Sequence, residues 1–174
     1  MTGIENAERL VLHAQPGASA YVLERDNEAV ATLEDHRTHV EIDFPGGEAG
    51  WRVEPYGSGW RLAFTRRAGG EPVAWYEGRR IRSGGRLVVA PDREYAVRSA
   101  RLKRLDWTVR DGRRLLLDAR GATRDGALRS EIALQRGAPD EHVLGVALAA
   151  IALLGWVSAT GMTGMLVDGD IPVP

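Results

Sequence analysis

VLGVALAAIALLGWV, residues 143–157, decides how the rest of this 174-residue chain is read. The stretch is apolar on every side of a helix, and the charge-free run it opens extends from Val143 to Val167 with no Asp, Glu, Lys, Arg or His. A helix without a polar stripe has to be buried, either in a protein core or in a bilayer. Gly145, Ala149 and Ala152 make one face narrow, while Leu144, Leu148 and Ile151 make the other bulky, so the helix is thin enough to be enclosed. Pro139 suits a first helical turn, where its missing N–H costs nothing. Asp140 and Glu141 then stand where the helix dipole favours negative charge. The expected helix covers about 140–157.

Length and flanks separate the two kinds of burial. Crossing a hydrocarbon layer of roughly 30 Å takes about 20 apolar residues. The strongly apolar part, 143–157, reaches only about 22 Å at ~1.5 Å per residue. Prolonging it to Val167 runs through SATGMTG, a poor helix former in water, although glycine is commoner in membrane helices. Asp168 and Asp170 follow the run, and no Lys or Arg follows it, so the usual basic interface anchors are missing. A core helix is the leading expectation; a C-terminal membrane anchor is the alternative. Met165 to Val167 reads as a final strand or a frayed tail.

Everything upstream carries a different period. In THVEIDF, Val40, Ile42 and Phe44 form an apolar phase; in GWRLAFTR it is Trp60, Leu62 and Phe64. Tyr95 and Val97 repeat the pattern in EYAVRS, as do Leu105, Trp107 and Val109 in RLDWTVRD. Successive strand residues point to opposite faces, so each run has one dry and one wet face, as antiparallel pairing requires. Turn chemistry separates the runs at Asp26-Asn27, Pro45-Gly46-Gly47, Gly57-Ser58-Gly59, Ala68-Gly69-Gly70, Ser83-Gly84-Gly85, Pro91-Asp92, Asp111-Gly112 and Asp125-Gly126. Such residues supply the positive φ of tight hairpins. The pattern predicts eleven or twelve strands with no linker, hence a mainly β single domain over 1–174. A closed antiparallel barrel of about twelve strands is wide enough to need filling, and an Ala-rich helix apolar all round is a suitable filler. Trp51, Trp60, Trp75 and Trp107 are expected to point inward or into sheet contacts.

Taken together, this strand rhythm, the segment GWRLAFTRRAGGEPVAWYEGRRI and the run SEIALQRGAPDEHVLGVALAAIALL resemble the tubby C-terminal-like superfamily over roughly residues 8–157. That superfamily includes tubby proteins, LURP-one-related proteins and phospholipid scramblases, and the LURP-one-related branch is nearest in length. The resemblance implies a closed barrel of about twelve strands around a hydrophobic helix near the C-terminus. It also implies an association with phospholipids, since tubby proteins bind phosphoinositide head groups through basic side chains. Their binding residues are not carried onto this chain's arginines, and no scramblase-like acidic calcium loop is evident.

Composition narrows the remaining chemistry. Hydrophobic residues are 44% and charged residues 27%, which is globular rather than disordered. The formal net charge of -1 gives no long-range pull toward nucleic acid or anionic membrane. The absence of Cys excludes disulfides and thiolate metal sites. The N-terminus MTGIENAERL has no apolar segment of the secretory kind, and a cytoplasmic location, with membrane association open, is the expectation. Basic residues cluster nonetheless: Arg66-Arg67; Arg79, Arg80 and Arg82 with Arg86; and Arg98, Arg101, Lys103 and Arg104. Guanidinium matches phosphate through two parallel donors. If neighbouring hairpins bring the last two clusters together, Arg79, Arg80, Arg82, Arg86, Arg98, Arg101, Lys103 and Arg104 form an anion-binding patch. The plainer role is a solvated outer wall balanced by Glu77, Asp92, Glu94 and Asp106.

Other motifs carry less. His36 and His39 have no helical HExxH context and no third ligand fixed by sequence, so they read as a loop edge and not a metal site. Gly46-Gly47 and Gly84-Gly85 precede no helix and are hairpin glycines, not a phosphate loop. Asp168 and Asp170 are too few oxygens for calcium. No nucleophile elbow or triad appears, so no catalytic residue, cofactor or metal is assigned. Aromatics fall on the apolar strand phases rather than between the basic residues, against nucleic-acid binding. The expected function is therefore a non-enzymatic barrel binding an anionic ligand or membrane surface, phospholipid head groups being the concrete candidate. A structural or protein-interaction module and a membrane-anchored β domain are the alternatives.

Overall fold

The computed structural model describes residues 4, 6–15, 19–36, 38–57, 60–80, 84–101 and 104–160, and the side chains of these other than 79, 80, 100, 101, 104, 105 and 158–160. Among the described residues there are twelve strands and one helix: β1 (Ala7–Ala14), β2 (Ala20–Arg25), β3 (Glu28–Asp35), β4 (Val40–Asp43), β5 (Trp51–Pro55), β6 (Trp60–Arg66), β7 (Pro72–Arg80), β8 (Gly84–Val89), β9 (Arg93–Arg101), β10 (Arg104–Asp111), β11 (Arg114–Arg124), β12 (Ala127–Gln135) and α1 (Glu141–Thr160). Every strand pairs antiparallel with its sequence neighbours, and β12 returns to β1 through Leu10↔Ile132 and Leu12↔Ser130, closing the barrel. Closure leaves no sheet edge to template aggregation.

The expected turn residues do their work in the expected places. Asp26 and Asn27, at φ 51° and 66°, form the two-residue loop between β2 and β3. Asp125 and Gly126 do the same between β11 and β12 at 51° and 78°. Positive φ at both central positions gives a hairpin twist that matches that of the strands. Alternation sorts the side chains as read: Val40, Ile42, Phe44, Trp60, Leu62, Phe64, Tyr95, Val97, Trp107 and Val109 are all buried. Arg61, Glu94 and Arg98, on the other phase, are exposed.

Helix α1 fills the barrel. From Leu144 to Val157 every residue is buried, and Trp156, the least covered of the apolar ones, is only 5% exposed. Its neighbours come from around the wall. A Cβ added at Gly145 would stand 2.9 Å from Leu10 Cδ1 in β1 and 3.5 Å from Leu134 Cδ2 in β12. At Gly155 it would meet Trp107 of β10 at 3.5 Å. Trp156 makes an edge-on contact with Tyr21 of β2, centroids 6.1 Å apart, and its Nε1 donates to Thr123 Oγ1 of β11 at 3.3 Å. Twenty residues at ~1.5 Å each give about 30 Å, enough to run through the whole barrel. Among the described residues no helix is long and apolar enough to cross a membrane.

Three local readings need correction. Pro139 is not in the first helical turn: the helix begins at Glu141, and Asp140, at φ 56°, is the residue whose carbonyl accepts the first helical bond, from Leu144 N–H at 2.8 Å. Trp75 faces outward, because Ala74 and Tyr76 take the buried phase of β7. The run PVAWY is apolar at every position, so alternation there cannot assign a face, and Ala74 takes the buried interior. Gly84 and Gly85 are not in the turn but are the first two residues of β8. The reading of Met165 to Val167 falls outside the described residues.

Candidate functional site

The barrel has two ends. The odd-numbered strands run away from the end where α1 begins, here called the base, toward the end where it finishes, the rim. The β7–β8 and β9–β10 hairpins therefore both turn at the rim, and β8 pairs with both β7 and β9. The strands that carry Arg79, Arg80 and Arg86 and those that carry Arg98, Arg101 and Arg104 are thus neighbours in the wall. Arg86 and Arg98 are the members whose side chains are described. For Arg79, Arg80, Arg101 and Arg104 the backbone alone is described, and Arg82 and Lys103 lie outside the described residues.

Between these strands and β6 there is a cleft of about 570 Å³ lined by Arg61, Glu77, Arg86 and Arg98 over Gly78, Gly84, Gly85 and Val97. Its floor is backbone. At Gly84, φ 82°, a Cβ would collide with the Val97 carbonyl oxygen and stand 2.7 Å from Arg98 Cα. At Gly85 it would collide with the Glu77 carbonyl and stand 2.7 Å from Gly78 Cα. Only glycine lets these strands approach so closely, and the pairing shifts register at this point, between Gly78 and Arg80.

The walls of the cleft are charged unevenly. Glu77 is the hub: Arg86 Nε donates to its Oε2 at 2.7 Å, Arg86 Nη2 lies 2.7 Å from the same oxygen, and Tyr56 OH donates to its Oε1 at 3.3 Å. Arg86 Nη1 also reaches Glu94 Oε1 at 3.1 Å. The Arg86 contact, helped by Arg61, holds the Glu77 carboxyl below the usual carboxylate range. Burial, then the Glu77 charge, pushes the Tyr56 hydroxyl up, so it stays a donor. Among the described residues no carboxylate forms an ion pair with Arg61 or Arg98. Three guanidiniums thus face one carboxylate inside the cleft.

Arginines elsewhere on the wall have carboxylate partners more often, though Arg129, in the groove beside Glu24 and Asp26, forms no ion pair among the described residues. A hollow of about 330 Å³ over β1, β11 and β12 has Arg9 paired with Glu131 at 2.8 Å and Arg120 with Asp118 at 3.6 Å. Around β4 to β6 two arginines are also paired: Arg52 lies 3.1 Å from Glu41, and Arg67, just after β6, pairs with both Glu41 and Asp43. His36 and His39 stack at 5.1 Å, each beside its own carboxylate, Glu34 at 3.4 Å and Glu41 at 3.3 Å. Among the described residues no group of three or more His, Asp or Glu is placed to hold a metal ion.

The sequence reading missed Arg61, Tyr56 and Glu77 as parts of one site. Arg61 is legible as an outward residue, flanked by inward Trp60 and Leu62, but it stands alone in sequence, and only the pairing of β6 with β7 brings it beside Glu77. Glu77 had been assigned to the balancing charge of the outer wall, and with Glu94 it does balance Arg86. No protein-family description, no characterised protein and no solved structure matches this chain.

Proposed function

We propose that this chain is a non-enzymatic binding domain that takes a phosphate-bearing anion in the rim cleft, a phospholipid head group at a membrane surface being the best candidate. One observation carries the reading: Arg61 and Arg98 line one glycine-floored cleft, and among the described residues neither forms an ion pair with a carboxylate, whereas Arg9, Arg120, Arg52 and Arg67 elsewhere on the wall do. Placing two guanidiniums near each other without counter-charge costs stability that a bound anion returns, and guanidinium binds phosphate through parallel hydrogen bonds. In the sequence, Arg79, Arg80 and Arg82 precede the cleft's Gly84 to Arg86, and Arg101, Lys103 and Arg104 follow its Arg98, so the same stretch of chain is rich in positive charge. Membership of the tubby C-terminal-like superfamily belongs to the same proposal and is supported by the barrel threaded by a hydrophobic helix.

The test is sedimentation with phosphatidylcholine vesicles, alone or doped with phosphatidylserine or a phosphoinositide, with a soluble inositol phosphate as competitor. Binding should require the anionic lipid and weaken steeply with salt, because screening acts within about 10 Å at ~0.1 M. Replacing Arg61 and Arg98 together with Gln should abolish it without moving the melting transition. Competition by the soluble head group separates a site for the phosphate from general attraction to the surface. Equal binding by wild type and the double variant would sink the proposal.

A protein-interaction role has its own observation. Trp75 stands on the outer wall opposite Ala63 and Val88, an apolar strip on an otherwise charged surface. Replacing Trp75 with Gln should leave vesicle binding intact, so the two readings are experimentally separate.

A further inference from the structure

We propose that Glu77 is the specificity-determining residue of the rim cleft, a built-in anion that occupies Arg86 and must be displaced before a ligand can use all three guanidiniums. The inference rests on the anion-binding reading and adds to it the kind of anion the cleft selects. Glu77 grips Arg86 through a single oxygen, Oε2, which both Nε and Nη2 approach to 2.7 Å on the edge a phosphate would otherwise use, and Tyr56 OH donates to the other oxygen at 3.3 Å. Arg86 is therefore engaged while Arg61 and Arg98 are not.

Displacing Glu77 has a consequence for selectivity. A monoanion gains little by competing with a carboxylate already seated on Arg86 and has only two guanidiniums to bind. An anion bearing several phosphate charges repays the displacement, because it engages the freed Arg86 as well. The cleft is thus selective for a polyphosphorylated group over a monoanionic one. Glu94, held to Arg86 by a single contact of 3.1 Å between exposed groups, contributes less.

The experiment compares wild type, Glu77→Gln, Arg86→Gln and the double variant on phosphatidylserine vesicles and on phosphoinositide vesicles. Gln has the shape of Glu and the site is at the surface, so a melting curve should show each variant folded. Glu77→Gln should tighten binding to phosphatidylserine about tenfold, the size of one charge-assisted contact, and flatten the preference for phosphoinositide. In the Arg86→Gln background the same change should give no gain, because the effect acts through Arg86. A gain that survives without Arg86 would mean only that net charge has changed, and would overturn the inference. So would wild-type binding that Glu77→Gln leaves unaltered in strength and preference. If no form binds either vesicle or the soluble inositol phosphate, the anion-binding reading fails first, and this failure is recognised by the silence of wild type.

Discussion

The base and the rim of this barrel treat charge in opposite ways. At the base, charged groups around the start of α1 are tied to one another. Asp140 Oδ2 accepts from Tyr95 OH and from Arg93 Nη1, both at 2.8 Å. Glu141 Oε2 accepts from Gly137 N–H at 2.7 Å, and Glu8, 8% exposed, has Arg25 Nε 3.0 Å from its Oε1. His142 lies over the rings of Phe44 and Trp51, with centroids at 5.1 and 5.9 Å. At the rim, Arg61 and Arg98 are left without carboxylates around a cleft. The contrast separates two uses of polar side chains. Groups near the start of the helix largely satisfy each other, because unpaired buried charge is costly; Glu8 Oε2, buried without a hydrogen-bond partner among the described residues, is the exception, and its carboxyl is raised accordingly. At the rim, guanidiniums without a counter-charge stand where water can solvate them.

The comparison can be broken at four places, and the largest effect should come from the helix that joins the two ends. Leu148→Asp puts an unpartnered carboxylate at a fully buried position and should abolish cooperative folding, at a cost of several kcal/mol. A soluble Leu148→Asp protein with a sharp thermal transition would contradict the enclosed helix. Next comes the base. Asp140→Ala leaves the Tyr95 hydroxyl only its longer contact with the Pro139 carbonyl, at 3.4 Å, and frees Arg93, and should lower stability by about 1–3 kcal/mol in urea unfolding.

The third test uses pH. Burial, reinforced by the Glu141 carboxyl, raises the Glu8 carboxyl above the ordinary 4.5 despite Arg25. The folded state therefore holds this proton more tightly than the unfolded chain. By linkage, the stability it contributes is full below the unfolded value and is lost as pH rises from there through the folded value. Glu77 and Glu41, both lowered by their arginine partners, act with the opposite sign: their contribution is present above the ordinary value and lost as pH falls through the folded one. Melting temperatures of wild type and Glu8→Gln, measured from acid to neutral pH, should diverge in the variant's favour as pH rises. A constant gap would contradict the assignment. The smallest effect on stability belongs to the rim: Arg98→Gln should change it by no more than about 0.5 kcal/mol, as for an exposed side chain without a partner. A large loss would show that Arg98 is a structural residue and would erase the contrast between the ends.

Much of the architecture was readable before any coordinates. Trp60-Arg61-Leu62-Ala63-Phe64 declares its inner and outer faces because polar and apolar residues alternate, and Asp125-Gly126 declares a hairpin because few residues tolerate positive φ. Pro72-Val73-Ala74-Trp75-Tyr76 declares nothing of the kind, and there the inward phase was misassigned. Arginine clusters could be seen, but not their partners: Arg86 is claimed by Glu77 from the neighbouring strand and by Glu94 from β9, and whether Arg98 is claimed by anything depends on strand register.

Local chemistry alone determined that α1 would be buried on all sides and that the preceding chain would form short antiparallel strands, because periodicity and turn residues act over a few neighbours. Only the tertiary structure decided that β12 closes on β1, that Gly78 and Gly85 meet beneath Arg61 and Arg86, and which guanidiniums lack a counter-charge. Those outcomes depend on pairs of residues far apart in sequence, and a charge is free or spent according to what the fold sets beside it.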